Sequence, residues 1–528
     1  VKGKYNLFKN LLTISFISFN VSIKNHIKAI YKYKNISDKA VTFLLKQIFQ
    51  HPQLKIKENL NSYFLKKYNL LSRKEALQNL HLPLNQKKLQ QSFLRFKYEE
   101  AYKIISKWHK EQQELPTKEI IRLDIHQLKK IIKQIPFQLT QNQKQILNDV
   151  YRDFQKQTPI QRLIQGDVGS GKTIIAFLAA LGIIFAKKQV IMMSPTEILA
   201  KQHYFNFKKL FPNIKTILLT SKSTKKKLLI DNIKNNHFEI IFGTHFLANI
   251  DYYKIGLIII DEIHKFGTEI KQKTINKNFK ADVLYLTATP IPRTLASIYF
   301  NFLSISSLKE KPYDKKNIIT QKCSFPEIIK ILKQNQARNE QTYIVVPAIQ
   351  DNKKYFNIQK IIPFLEKNQI KNVYVLHGKK KSKEQEQIMN NFINDDKGIL
   401  LTTSIIEVGI DISNATTIII LGAEYFGLSQ LHQLRGRVGR NQKKNFCFLV
   451  TKKNSERLNI LEKENDGFKL SIFDLKHRGP GDFLGKEQSG FFKYHFLDIL
   501  RDFNIIDGIK KEFLNLQKNI ILKKEYKN

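Results

Sequence analysis

Cysteine is nearly absent from this chain. Cys323 and Cys447 are the only two in 528 residues, and they lack the paired spacing of a zinc site or a disulfide framework. A reducing cytoplasm suits such a sequence. Acid is scarce too: Asp and Glu number 45 against 89 Lys and Arg, a formal net charge of +44. The excess points to a polyanionic partner. Lysine, asparagine and isoleucine are abundant throughout, however, as AT-biased coding produces, so charge alone supports nucleic acid only weakly. Long apolar runs are also missing. The longest, Ile174 to Ala186, falls short of the ~20 residues a membrane helix needs. Leu11 to Ile23 has polar interruptions and no small-residue cleavage pattern, so neither a membrane span nor a signal peptide is expected. The first residue is Val1 rather than Met, which hints at an incomplete N-terminus. With 42% hydrophobic residues the chain has material for several compact cores.

What is present centres on Gly166-Asp167-Val168-Gly169-Ser170-Gly171-Lys172-Thr173. This stretch follows a strand-like run, Ile160 to Gln165, and opens an apolar helical run, Thr173 to Ala186. Its glycines let backbone N–H groups close around phosphate oxygens. The helix N-terminus and Lys172 supply positive charge, and Thr173 supplies a hydroxyl for Mg²⁺. A nucleoside triphosphate site needs these parts in this order. Just upstream, Gln143 begins a helix with Thr140 at its cap; a glutamine amide both donates to and accepts from an adenine edge.

Downstream, strands alternate with helices. Val190 to Met193 leads to Ser194-Pro195-Thr196-Glu197, and Glu239 to Phe242 leads to Gly243-Thr244-His245. The continuous apolar strand Leu257 to Ile260 ends in Asp261-Glu262-Ile263-His264. Such a strand is expected where both sheet faces are covered. The acidic pair at its end offers one carboxylate for Mg²⁺ and another to orient and deprotonate the attacking water. Val283 to Leu286 then runs into Thr287-Ala288-Thr289-Pro290, whose hydroxyls would link the nucleotide to another surface.

After Pro312 the alternation restarts without a second phosphate loop. Strands are expected at Thr342 to Val346, Asn372 to Leu376 and Gly398 to Thr402, with a helix at Ser382 to Phe392. This part carries Thr402-Thr403-Ser404 and then Arg435, Arg437 and Arg440, spaced by glycines after a helical stretch. A guanidinium's planar fork matches a γ-phosphate in its transition state. One lobe with the phosphate loop and another with the arginines make a composite site, closed by ATP and reopened by hydrolysis. By contrast, residues 1 to about 130 alternate briefly as strand and then read as helices such as Lys39 to Phe49 and Leu89 to Gln112. Trp108 and its aromatic neighbours read there as packing anchors rather than base-stacking platforms.

The ordered set GDVGSGKT, SPTE, GTH, DEIH, TATPIPRTLA, TTSIIEVGID and QLHQLRGRVGR resembles superfamily 2 helicases, and most closely the RecG family of ATP-dependent DNA helicases. The resemblance runs over roughly residues 80 to 490. It implies an α/β chain with two RecA-like parallel-sheet lobes, preceded by a helical linker and followed by a helical hairpin. By that resemblance residues 1–28 are the residual end of an OB-fold wedge, 29–125 the linker, 126–312 the first lobe, 313–455 the second, and 456–528 a translocation hairpin with a tail. Gly166, Asp167, Val168, Gly169, Ser170, Gly171, Lys172, Thr173 and Gln143 are then the nucleotide residues. Thr173 and Asp261 would hold Mg²⁺, Glu262 would be the base, and Arg437 and Arg440 would meet the γ-phosphate. Thr287, Thr289, Thr403, Arg478 and Gln488 would couple hydrolysis to DNA.

The family usually has Asp-Glu-Gln-His where this chain has Ile263, which implies weaker coupling without loss of the catalytic acid. RGPGDFLGKEQSG, beginning at Arg478, is similar to the loop after the hairpin with which RecG motors move on duplex DNA. The transcription-repair coupling factor has a similar hairpin and is the nearest alternative. A non-catalytic DNA-binding remnant is another, against which stands the presence of every catalytic position. The primosomal helicase is disfavoured by the missing zinc cysteines. The resemblance implies ATP and Mg²⁺ as cofactors, branched and double-stranded DNA as partner, a monomeric cytoplasmic motor and no membrane.

Overall fold

The structure, a computed structural model, describes residues 2–6, 11–16, 27, 29–31, 36–278, 280–289, 304–310, 318–347, 356–403, 414–439, 443–452, 455–478, 494–498 and 501–525. The chain divides into two compact units, Val1–Gln113 with Lys493–Asn528, and Glu114–Phe492.

The first unit opens with an antiparallel pair, β1 (Lys2–Asn6) and β2 (Leu11–Phe16). Helices Asp38–Gln50, Ser62–Lys67, Arg73–His81 and Gln86–Gln113 follow. Ser72 and Glu75 close a capping box, each side chain taking the other residue's backbone N–H. The long fourth helix carries Arg95, fully buried, whose guanidinium donates to Leu71 O at 3.0 Å, to Glu99 at 3.1 Å and to Glu58. A buried charge is tolerable when its donors are satisfied in this way. The C-terminal part of the chain completes this unit. Helix Phe503–Glu525 sets Glu512 2.7 Å from the Tyr63 hydroxyl, and Lys510 lies 5.2 Å from the Trp108 ring centre. Glu100 accepts the backbone N–H groups of His495, Phe496 and Leu497 at 2.9, 3.1 and 2.8 Å.

The second unit holds two parallel sheets. In the first lobe these strands are β3 (Gln161–Gly166), β4 (Gln189–Met193), β5 (Thr216–Leu219), β6 (Ile240–Gly243), β7 (Ile255–Ile260), β8 (Asp282–Thr287) and β9 (Ser304–Leu308). They lie in the order β5-β6-β4-β7-β8-β3-β9, and every pairing is parallel. Leu257 to Ile260 are all buried because helices cover both faces. Helix Lys172–Phe185 is buried along nearly its whole length, and Phe177 meets Phe207 edge-on at 5.1 Å between ring centres.

The second lobe contains β10 (Ile318–Cys323), β11 (Gln341–Val345), β12 (Val373–Leu376), β13 (Ile399–Thr402), β14 (Ala415–Leu421) and β15 (Asn445–Val450). Their order is β10-β15-β14-β11-β13-β12, again all parallel. Helices Ser382–Ile393, Leu428–Arg435, Glu456–Lys463 and Gly467–Arg478 belong to this part of the unit. Parallel strands bring all their carboxyl ends to one edge of a sheet, where open α/β sheets bind ligands. In the first lobe the register places the phosphate loop beside Thr287, since Gln165 pairs with Thr287. It likewise brings Asp261 out next to β4, with Asp261 N–H donating to Met193 O at 2.9 Å.

Candidate ATP site and its link to the second lobe

The phosphate loop is shaped by glycine. Gly169 and Gly171 have φ of +77° and +87°, a region in which a Cβ is strained. A Cβ on Gly171 would also collide with the Gln143 amide. Both ends of that amide are used: its oxygen accepts Thr140 N–H at 2.9 Å, closing a capping box, and its nitrogen donates to Ser170 O at 2.9 Å, leaving one N–H and one lone pair over. Gln143 therefore braces the loop as well as standing where an adenine reader is expected. Lys172 Nζ lies inside the loop, 2.7 Å from Gly166 O and 3.0 Å from Asp167 O. Ser170 Oγ is buried without a hydrogen-bond partner among the described residues. A cation in a cradle of backbone amides beside an orphaned hydroxyl suits a polyphosphate. Thr173 stands in the first turn of helix Lys172–Phe185.

At the end of β7 the two acidic residues behave differently. Burial would raise the Asp261 carboxyl, but the hydrogen bond and charge of His203, the charge of Lys172 and the Glu262 N–H together hold it below the usual carboxylate range. His203 Nε2 is 2.8 Å from Asp261 Oδ2, and Glu262 N–H donates to Asp261 Oδ1 at 2.9 Å. An ionised, pinned carboxylate fits a Mg²⁺ ligand. Glu262, in the left-handed region at φ 50°, is pushed up to about 7, first by burial and then by the Asp261 charge, with Lys172, Ala288 N–H and Arg437 opposing. A carboxylate poised near neutrality suits a general base. Ala288 N–H reaches Glu262 Oε2 at 3.3 Å, and the hydroxyls of Thr287 and Thr289, on either side of Ala288, stand 2.8 Å apart. Glu262, the expected base, thus touches the segment expected to couple to DNA. Ile263, beside it, is fully buried.

The second lobe reaches this site. Arg437 is buried and its charge acts on Glu262. His432, on helix Leu428–Arg435, has Nε2 2.7 Å from Asp167 Oδ1 in the phosphate loop, and its Nδ1 is 2.7 Å from Arg435 Nη2. A guanidinium only donates, so Nδ1 accepts and the ring hydrogen on Nε2 is given to Asp167. Arg435 continues to Leu461 O and Glu464 O at 2.8 and 3.0 Å. Thr403 lies just past β13, its carbonyl accepting the Thr402 hydroxyl at 3.2 Å. Arg478 is the last residue of helix Gly467–Arg478. Arg440 and Gln488 lie outside the described residues.

Sequence reasoning missed His203, His432 and Gly467, and it grouped Arg435 with the phosphate-facing arginines, whereas Arg435 holds His432 and the carbonyls of Leu461 and Glu464. Only His432 left a trace, three residues before Arg435 on one helical face. A Cβ on Gly467 would come within 2.7 Å of His432 Nε2 and 3.5 Å of Asp167 Cγ. Because the ring is fixed on both nitrogens, it has no easy retreat. Gly467→Ala is expected to destabilise the protein by about 1–3 kcal/mol, as overpacking does, seen as a lower urea midpoint. An unchanged midpoint would mean that the ring moves freely.

A phosphate-binding lobe, an acidic pair at a strand end and a second parallel-sheet lobe bringing an arginine to that pair define a two-lobed, ATP-driven helicase motor. The DEAD/DEAH box helicase family model matches residues 140–298, and the helicase conserved C-terminal domain matches 324–442. The model for ATP-dependent DNA helicase RecG, domain 3, C-terminal, matches 464–523. The ATP-dependent DNA helicase RecG of Staphylococcus aureus (strain NCTC 8325 / PS 47) is 33% identical, the match covering 100% of this chain and 81% of that one. That of Streptococcus pneumoniae serotype 4 (strain ATCC BAA-334 / TIGR4) is 35% identical over 97% of this chain and 79% of that one. A solved RecG bound to a three-way DNA junction has a TM-score of 0.69 and 31% identity, over 96% of this chain and 70% of that one. The chain belongs to the RecG family of ATP-dependent DNA helicases. The domain 3 match favours this assignment over the coupling-factor alternative. Among the described residues no helix is long and apolar enough to cross a membrane.

Proposed function

We propose that this helicase uses ATP hydrolysis to translocate on double-stranded DNA and so remodels branched DNA: stalled forks, Holliday junctions, D-loops and R-loops. The observation that carries the reading is the hydrogen bond from His432 to Asp167 at 2.7 Å, which seats the arginine-bearing segment of one lobe on the phosphate loop of the other. A site assembled from two lobes converts nucleotide state into lobe movement. The RecG structure on a three-way junction supports branched DNA as the substrate.

In this reading Lys172 and the loop amides hold the β- and γ-phosphates, and Gln143 meets the adenine while bracing the loop. Thr173 and Asp261 would hold Mg²⁺, which would supply positive charge to the phosphate oxygens. Glu262 takes the proton of the attacking water, and Arg437 with Arg440 stabilises charge on the transferred group. Thr287, Thr289 and Thr403 link the nucleotide site to the DNA-binding surface, and Arg478 and Gln488 pass lobe movement to the duplex backbone. The divisions that go with these roles are the end of a wedge at 1–28, a linker at 29–125, lobes at 126–312 and 313–455, and the hairpin and tail at 456–528. The motor is proposed to act as a monomer in the bacterial cytoplasm.

The test is displacement of a third strand from duplex DNA, which reports translocation without requiring a branch point to be split. Expected are DNA-stimulated ATP hydrolysis and ATP-dependent displacement; ATP turnover indifferent to DNA would overturn the reading. Binding should also weaken with salt, log Kobs against log[salt] falling by roughly 0.9 per phosphate contact. A flat dependence would contradict a backbone-tracking motor.

A further inference from the structure

Among the described residues the Asp261 carboxylate has two hydrogen-bond donors. One is the next residue's backbone N–H; the other is His203 Nε2, 2.8 Å from Oδ2. His203 stands far away in sequence, on helix Glu197–Leu210, and both groups are buried. A carboxylate only accepts, so the hydrogen sits on Nε2. Nδ1 has no hydrogen-bond partner among the described residues, and the ring stands edge-on to Phe177 at 6.2 Å between centres. The imidazole's polar contact is thus directed at a single target, the outer oxygen of Asp261.

The helix that presents this ring is fixed from several sides. Thr196 caps it by accepting Leu199 N–H at 3.3 Å, and Leu199, Ala200 and Phe207 are buried. Its opposite side meets the second lobe: Ile198 packs against that lobe's core, and Lys201 Nζ lies 2.6 Å from Glu386 Oε2. His203 follows Lys201 by two residues, about 200° around the helix. A single rigid element therefore touches the second lobe with one side and grips the carboxylate with the other. A donor held this firmly sets which lone pairs of Asp261 remain for another ligand.

We propose that His203 is the positioning residue for Asp261, orienting this carboxylate toward Mg²⁺ at the nucleotide. The inference rests on Asp261 being a metal ligand. Outer groups that orient metal ligands typically contribute ~10–100-fold in metal affinity. A histidine serving only to fill space beside Phe177 contributes none.

The experiment titrates Mn²⁺ into the full chain at saturating ADP and follows free Mn²⁺ by electron paramagnetic resonance; ADP affinity without metal and urea midpoints are measured alongside. His203→Leu keeps the bulk and removes the donor. His203→Gln places an amide N–H close to the position of Nε2. Expected is a ~10–100-fold weaker Mn²⁺ dissociation constant for His203→Leu, within the range for such outer groups, with metal-free ADP affinity unchanged. His203→Gln should recover to within about threefold of wild type. His203→Met takes the place of the leucine variant should that one not fold. Equal Mn²⁺ affinity in wild type and the donor-less variant overturns the inference, as does a glutamine variant no better than leucine. Asp261→Asn separates the two levels. If it weakens Mn²⁺ while His203→Leu does not, only the positioning role falls. If Asp261→Asn binds Mn²⁺ like wild type, the metal reading falls and the inference with it.

Discussion

Glu262→Gln is expected to bind ATP normally and to lose ~10²–10⁴-fold in DNA-stimulated turnover, the range for a missing general base. The substitution keeps size and removes only the ability to take a proton. The Glu262 carboxyl is buried beside Asp261, and both burial and that neighbouring charge favour its holding a proton. Its contact with Ala288 N–H is one an amide oxygen can also accept, so the loop after β8 should stay in place. Steady-state phosphate release with saturating DNA, together with nucleotide affinity, checks this. Hydrolysis at the wild-type rate would assign the base elsewhere.

Arg437→Ala should lower turnover by ~10³-fold or more while leaving ATP affinity within a few-fold, as for arginine fingers supplied from outside the phosphate loop. Arg437 is buried, and its charge acts on Glu262 although the two belong to different lobes. An arginine that meets its target only when the lobes are together contributes to the transition state more than to binding. The measurement is kcat against KM for ATP at saturating DNA. A variant defective only in KM would place Arg437 in the ground-state pocket.

Much of the motor was legible because its parts are local. The loop 166–173, the acidic pair at 261–262 and the arginines after helix Leu428–Arg435 each declare their chemistry within a few residues. Buried strands such as β7 and β4 are equally plain, since parallel strands covered on both faces read as unbroken apolar runs. Two edge strands were not plain. β9, with three serines among its five residues, and β10, Ile-Ile-Thr-Gln-Lys-Cys, carry too much polarity for that pattern. The connecting hydrogen bonds were invisible for another reason. His203 with Asp261, and His432 with Asp167, join residues 58 and 265 positions apart, and no spacing rule reaches so far. A solitary histidine in a helix announces nothing until its partner is known.

The unit formed by Val1–Gln113 and Lys493–Asn528 has a consequence for how the protein is made. Residues up to Gln113 leave the ribosome before Glu114–Phe492, yet the carboxylate of Glu100 finds its three N–H partners, and Tyr63 its glutamate, only in a segment translated after it. All of Glu114–Phe492 is synthesised in between, an interval of tens of seconds at ~5–20 residues per second. During that interval the nascent helical unit waits with its closing helix missing, while the two sheets can already assemble. A stalled or prematurely terminated message should therefore yield a chain with an assembled motor and an open first unit. Protease nicking of that first unit on arrested ribosomes would register the delay.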